Sequence, residues 1–404
     1  MRLLLACALI WTSCALARVP DGGDGMVPGQ FADDLPVVQR GIIEMQLRRT
    51  QAHLQSAGVL APAAAATLQL QWPLQPQADY PYLGYYGISN FVDHDLRFPD
   101  QVQDYNCGSR TYDTDAGYNH AGTDYFLWPA PWRTMDAKQV AIVAAAPGVI
   151  IGRSDFNPDR SCAMSNSQWN AVYVRHADGS VAWYGHMKSG SLTLKGIGDN
   201  VVAGEVLGFV GSSGSSTGPH LHFELHDASG LVIDPRHGPC SAGPDYWAEL
   251  QPYESPAINS LSLLRDEPNM IQCGVRNGEA VDEQLDETDA FLPGTTLYVM
   301  ATYRDHRAGQ TSTMHIRRPD GSVFQQWAFD LAEGGLPNPF YAATYWYWNY
   351  SLPADAPTGV WRFEATYQGH DYAKEFFVGD ASLVRRLRVQ RERVQVIELS
   401  RPRR

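Results

Sequence analysis

The chain has 404 residues, 44% of them hydrophobic, which is enough for two or three domains with cores of their own. The formal charge is -13, and because residues 381–404 hold eight Arg against two Glu, the remaining body is strongly acidic. That balance argues against a nucleic-acid partner, and no run beyond the N-terminus approaches the ~20 apolar residues of a membrane span.

Residues 1–17, "MRLLLACALIWTSCALA", have a basic start, an apolar run and an Ala-Leu-Ala ending. This is the pattern of a secretory signal peptide, so the chain is expected to be exported, periplasmic or extracellular. Residues 18–33 are Gly- and Asp-rich and are expected to lack regular structure. From Asp34 to Ala57 the composition favours a helix, with Val38, Ile42, Met45 and Leu54 at rough helical spacing. With the "APAAAATLQ" linker it makes an N-terminal helical segment over 18–66, read either as a removable propeptide or as an ordinary packed helix.

Residues 67–250 break into short strands between Gly, Pro, Asn and Asp, among them "NAVYVRHADGSVAWYGHM", whose Asp-Gly is a hairpin signal. Residues 255–380 are again strand-rich, with a turn about every dozen residues, as in a small β-sandwich. There "YWYWNYS" puts Trp346, Trp348 and Tyr350 on one strand face; a sandwich core is the favoured reading over a sugar-stacking platform. Residues 381–404 form a basic tail.

Cys7 and Cys14 depart with the signal, leaving Cys107, Cys162, Cys240 and Cys273. An even number in an exported chain implies two disulfides with three possible pairings, of which Cys107–Cys162 with Cys240–Cys273 is favoured here. No C-x-x-C spacing suggests cysteine-bound zinc.

Three segments carry candidate chemistry. "YNHAGTDYF" has His120 and Asp124 at i, i+4, on the same side of an extended segment. "AWYGHM" ends a strand on His186. "GPHLHFELHD" alternates, so that His220, His222, Glu224 and His226 share one face and Leu221, Phe223 and Leu225 the other. Two imidazoles, a carboxylate and a water are a catalytic zinc inventory, with the remaining histidines available for proton transfer. Glu224 and His226 are assigned to the rim, and His176 beside the hairpin turn to a supporting or surface role. The glycine-serine run 211–218 lacks the G-K-[ST] ending of a phosphate loop.

Taken together, "HAGTD", "VAAAPGVI", "VYVRHADGSVAWYGHM" and "GDNVVAGEVLGFVGSSGSSTGPHLHFEL" resemble the lysostaphin-type zinc endopeptidases of bacterial cell walls over roughly residues 118–227. "NCGSRTYD" upstream is similar to the secreted β-lytic members. The resemblance implies a mainly β fold: an antiparallel peptidase domain, here flanked by the N-terminal helical segment and the C-terminal β-sandwich. It also implies one Zn2+ held by His120, Asp124 and His222, and catalytic roles for His186 and His220. The expected substrate is a peptide of peptidoglycan stems or cross-bridges, and the expected state a monomer. Competing readings are a non-catalytic wall-binding or hydrolase-activating module and a secreted protease of glycine-rich proteins such as elastin. "YDTDAGYN" before His120 and "FLWPAPWRTMDAKQV" after Asp124 depart from the family's usual pattern and bear on substrate preference.

Overall fold

The computed structural model describes residues 17–28, 32 and 35–384; the expected signal peptide over 1–17, apart from residue 17, and the basic tail beyond Val384 lie outside the described residues. Gly22–Met26 (β1) is followed by the long helix Val37–Ser56 (α1). Next come Leu74–Pro76 (β2), Tyr86–Asn90 (β3), Thr123–Leu127 (β4), the short helix Pro131–Asp136 (α2), Val140–Val143 (β5) and Gly148–Ser154 (β6). Ala171–Arg175 (β7), Val181–Gly185 (β8), Asn200–Val201 (β9), Val206–Phe209 (β10), His220–His226 (β11) and Val232–Ile233 (β12) complete the first half. The second half holds Ala257–Leu264 (β13), the hairpin Val275–Arg276 (β14) and Glu279–Ala280 (β15), Ala290–Phe291 (β16) and Thr296–Arg307 (β17). Ser312–Arg317 (β18), Val323–Phe329 (β19), Phe340–Ser351 (β20), Gly359–Tyr367 (β21) and His370–Val378 (β22) follow.

The fold is mainly β, and the pairings are antiparallel except for the short β16–β22 ladder. The large sheet runs β3-β4-β11-β8-β7-β6-β9, with β12 beside β11, and a three-stranded sheet β10-β5-β2 accompanies it. One face of β11 supplies Leu221, Phe223 and Leu225 to a core shared with Tyr125, Val172, Val174, Tyr184 and, from the smaller sheet, Leu74, Ile142 and Leu207. The alternation of β11 has a further consequence: its histidines and Glu224 must emerge on the opposite face.

That opposite face is not open. Leu47 and Leu54 of α1 pack there with Leu35, Leu60, Ile151, Trp169, Tyr173 and Trp183. Leu47 and Leu54 are the buried residues of this 20-residue helix. Val37, Val38, Ile42 and Met45 stay exposed. Burying two leucines is worth roughly 3–6 kcal/mol before conformational entropy is charged, so the helix is lightly held.

The C-terminal strands form two sheets, β1-β20-β17-β13 and β16-β22-β21-β18-β19, enclosing one aromatic core. Trp346, Trp348 and Tyr350 lie in that core, against Trp327 and Phe329. Phe126 and Trp128 meet Ala342 and Ala343 where the two halves touch, and the buried Arg110–Asp305 pair at 2.6 Å spans the same junction. Among the described residues, no helix is long and apolar enough to cross a membrane.

Two expectations are corrected here. Residues 22–26, read as irregular, are an edge strand paired with β20. Glycine there serves close approach: a Cβ on Gly23 would stand 2.2 Å from the Trp346 ring. The disulfides are Cys107–Cys240 and Cys162–Cys273, not Cys107–Cys162 and Cys240–Cys273. The backbone N–H of Cys240 donates to Tyr105 O, which brings the Cys240 loop beside the Cys107 turn. The Cys273 segment lies against Arg160, whose side chain donates to Gly274 O. The long stretch after Asp124 contains α2, with Pro131 at its first turn, where proline's missing N–H costs nothing.

Candidate metal centre

Strand register builds the site. In the large sheet, Asp124 of β4 is the direct partner of His222 of β11 on one side and of Asn90 of β3 on the other. His222 is also opposite Gly185, the last residue of β8, so His186 emerges one step away. His120 precedes β4 by three residues. Residues separated by about a hundred positions thus meet through pairing alone.

His120, Asp124 and His222 each offer one ligand atom, and these atoms lie within 4.8 Å of one another. His120 Nε2 is 3.0 Å from Asp124 Oδ2, and His222 Nδ1 is 3.0 Å from Asp124 Oδ1. The outer ring nitrogens are committed elsewhere. His120 Nδ1 donates to Phe91 O at 2.6 Å, and His222 Nε2 lies 3.1 Å from Glu224 Oε2. Each imidazole therefore carries its proton on the outer nitrogen and turns a lone pair inward. Asn90 Nδ2 donates to Asp124 Oδ2 at 2.8 Å, fixing the carboxylate. Two inward imidazole lone pairs and one carboxylate are the donor set of a catalytic zinc site, and this geometry fits a divalent cation.

His186 and His220 stand beside the cluster with ring centroids 4.4 Å apart. His186 Nδ1 donates to Ser213 O at 2.6 Å, and His220 Nδ1 to Gly218 O at 2.8 Å. In the neutral imidazole this leaves Nε2 as the basic nitrogen in both. His220 Nε2 lies 3.8 Å from Asp124 Oδ1, on the ligand side. His186 holds a left-handed backbone, φ 58°, uncommon for a non-glycine residue and characteristic of constrained sites. The structure thus brings all five candidate residues together. His176 lies apart from the cluster, buried, with Nδ1 donating to Pro147 O.

Gly122 explains the spacing of "HAGTD". A Cβ at this position would meet His222 Cε1 and Nε2 at 2.7 Å. Only glycine lets the chain between His120 and Asp124 pass under the second imidazole.

Glu224 and His226 are not on a rim; both are buried. Glu224 accepts a bidentate pair from Arg40 of α1, at 2.5 and 3.1 Å, and lies 2.6 Å from His226 Nε2. Burial by itself would raise this carboxyl, but Arg40 and His226 hold it well below the ordinary carboxylate value. The rim assignment failed because the sequence does not say that a helix lies over this strand. Three further residues were missed. Asn90 carries no local signal, and Tyr112 stacks on His120 at 4.7 Å. Trp169 stands edge-on to His186 at 5.1 Å and tilted to His222 at 5.9 Å.

The five residues His120, Asp124, His186, His220 and His222 are at most 1% exposed. Ala32 lies close by: its N–H donates to Thr217 Oγ1 at 2.9 Å, and Thr217 N–H donates to its carbonyl at 3.2 Å. Beyond it α1 lies on the ligand-bearing side of the sheet, and its side chains line, with Ile151, Trp169 and Tyr173, a cleft of about 720 Å³.

The chain is similar to known proteins over part of its length. It is 37% identical to the DD-carboxypeptidase/endopeptidase Mpg of Neisseria meningitidis serogroup B over 116 residues, 29% of this chain and 22% of that protein. It is 33% identical over 117 residues to the peptidoglycan DD-endopeptidase ShyC of Vibrio cholerae serotype O1, again 29% of this chain and 22% of the relative. The match therefore spans about a fifth of the length of these curated relatives. A crystal structure of a putative peptidase M23 from Pseudomonas aeruginosa aligns with 47% of this chain and 59% of its own, at 21% identity and TM-score 0.25. The model described as Peptidase family M23 matches residues 131–235, which include His186, His220 and His222. Over that span the chain carries a peptidase family M23 domain.

Proposed function

We propose that the chain is an exported zinc-dependent endopeptidase that hydrolyses peptide bonds in bacterial peptidoglycan stems or cross-bridges. The observation that carries this reading is the convergence of His120, Asp124 and His222 with their inward lone pairs. The relatives' names, a DD-carboxypeptidase/endopeptidase and a peptidoglycan DD-endopeptidase, favour peptidoglycan as the substrate class. Two disulfides suit an oxidising compartment outside the cytoplasm.

His120, Asp124 and His222 would hold the ion, which when bound supplies Lewis acidity and a water acidic enough to ionise near neutral pH. His220, its proton fixed on Nδ1 by Gly218 O, presents Nε2 as a base on the ligand side. His186, fixed in the same way by Ser213 O, stands one ring away. One of the pair takes the proton of the attacking water. That histidine, now protonated at Nε2, passes the proton to the leaving amine nitrogen as the C–N bond breaks, and its neighbour steadies the developing oxyanion when it carries a second proton on Nε2.

The reading extends to the N-terminal segment. A wall peptide cannot reach residues at most 1% exposed. Helix α1, on the same face of the sheet, is anchored by two leucines and the Arg40–Glu224 pair, and a cleft opens between it and β6. Residues 35–60 therefore act as a cover that must leave, as a propeptide does, before the groove takes substrate. The test is digestion of purified peptidoglycan with mass spectrometry of the released muropeptides. New amino termini within stem or cross-bridge peptides are expected, and cleavage of elastin with intact peptidoglycan would replace this reading by the protease alternative.

A further inference from the structure

We propose that Glu224 is a positioning residue for His222, setting which nitrogen of that imidazole faces the metal centre. The inference rests on the metal-site reading above and adds a residue to it. Glu224 is fully buried on the ligand-bearing face of β11, two residues from His222. Its Oε2 lies 3.1 Å from His222 Nε2. An ionised carboxylate can only accept, so the proton stays on Nε2 and the Nδ1 lone pair points at Asp124, 3.0 Å away. Removing the carboxylate takes away the acceptor that favours the proton on Nε2. The ring could then adopt the other tautomer and present an N–H to the cluster.

A buried carboxylate costs several kcal/mol unless it is compensated, and the chain surrounds this one closely. His226 Nε2 is 2.6 Å from Oε1, with its Nδ1 donating to Gly230 O at 3.0 Å. Arg40 adds the bidentate pair from α1. The simpler account is that Glu224 exists only to anchor α1 through Arg40. The geometry argues against that, because Oε2, besides accepting from Arg40, lies within hydrogen-bond reach of a ring whose other nitrogen faces Asp124, a contact that anchoring does not require.

The two accounts separate by metal affinity. Wild type, Glu224→Gln, Arg40→Met and the charge-balanced double variant R40M/E224Q would be titrated with Zn2+ against a chromogenic chelator, folding being checked by circular dichroism. Glu224→Gln and the double variant should bind Zn2+ ten- to a hundredfold more weakly, while Arg40→Met, which keeps the Glu224–His222 contact, should lose markedly less affinity than either. Nitrogen-15 shifts of His222 in the metal-free protein should show the proton on Nε2 in wild type and a tautomer mixture in the double variant. If the double variant is folded and binds Zn2+ as wild type does, or if Arg40→Met alone reproduces the loss, the positioning role is wrong. If wild type itself binds no Zn2+, the metal-site reading fails instead.

Discussion

Arg40, at the end of the first turn of α1, is bonded through both terminal nitrogens to Glu224, whose carboxylate also contacts the imidazole of His222. Helix α1 is therefore tied to the strand that carries a proposed metal ligand. Anything that lifts the helix also changes the surroundings of that ligand.

The first prediction concerns the cover. Residues 61–67 are exposed. A protease site inserted there would free one end of α1 without cutting the sheet that β1 completes. Turnover of peptidoglycan should rise at least tenfold on cleavage, and Leu47→Asp should raise it without cleavage by removing a buried anchor. Equal activity before and after cutting would show that α1 is an ordinary packed helix.

Gly122→Ala should leave the fold intact and damage the site. The added methyl cannot fit 2.7 Å from His222, so the ring or the chain between His120 and Asp124 must shift. A displacement of that size should weaken zinc binding by at least tenfold. Calorimetric titration measures it, with the melting temperature as the control.

His186→Ala should separate binding from chemistry. His186 is not among the three converging ligands, so zinc content should stay at the wild-type level. Losing a proton-transfer or oxyanion group should cost about 10²–10⁴ in kcat. Loss of metal from this variant would instead make His186 a ligand.

Stability should depend on Glu283. Its carboxylate accepts from the N–H groups of Trp132 and Arg133 at the start of α2. Burial pushes its pKa up to about 7 from 4.5, against the opposing pull of those N–H groups. The folded state then holds a proton that the unfolded chain releases between these values. The contribution is complete below pH 4.5 and is lost as pH rises through 7, on the order of 3 kcal/mol. Glu283→Gln should flatten this segment of the stability–pH curve in chemical denaturation, and an unchanged slope would refute the assignment.

How much of this was legible in the sequence depends on range. Alternation alone places Leu221, Phe223 and Leu225 in the core and His220, His222 and Glu224 opposite, because a strand has only two faces. The same logic buries Trp346 and Trp348. Helix-forming composition finds α1 to within about three residues of its start at Val37. What remained hidden is non-local. Asn90 meets Asp124 only because β3 pairs with β4 in one register. The disulfide partners lie 133 and 111 residues apart, and only the folded chain chooses between pairings. Glu224 looked peripheral because its partner Arg40 sits 184 positions upstream. The glycine strand β1 was misread because its stability comes from the aromatic rings of β20, not from its own side chains.

The most direct test is elemental analysis of the purified protein beside a peptidoglycan assay, for wild type and for His120→Ala, Asp124→Ala and His222→Ala. The account predicts about one zinc per wild-type chain, and in each variant the loss of metal and activity together. A zinc-free variant that still cleaves at the wild-type rate, or one that keeps its zinc after His222 is removed, would contradict it.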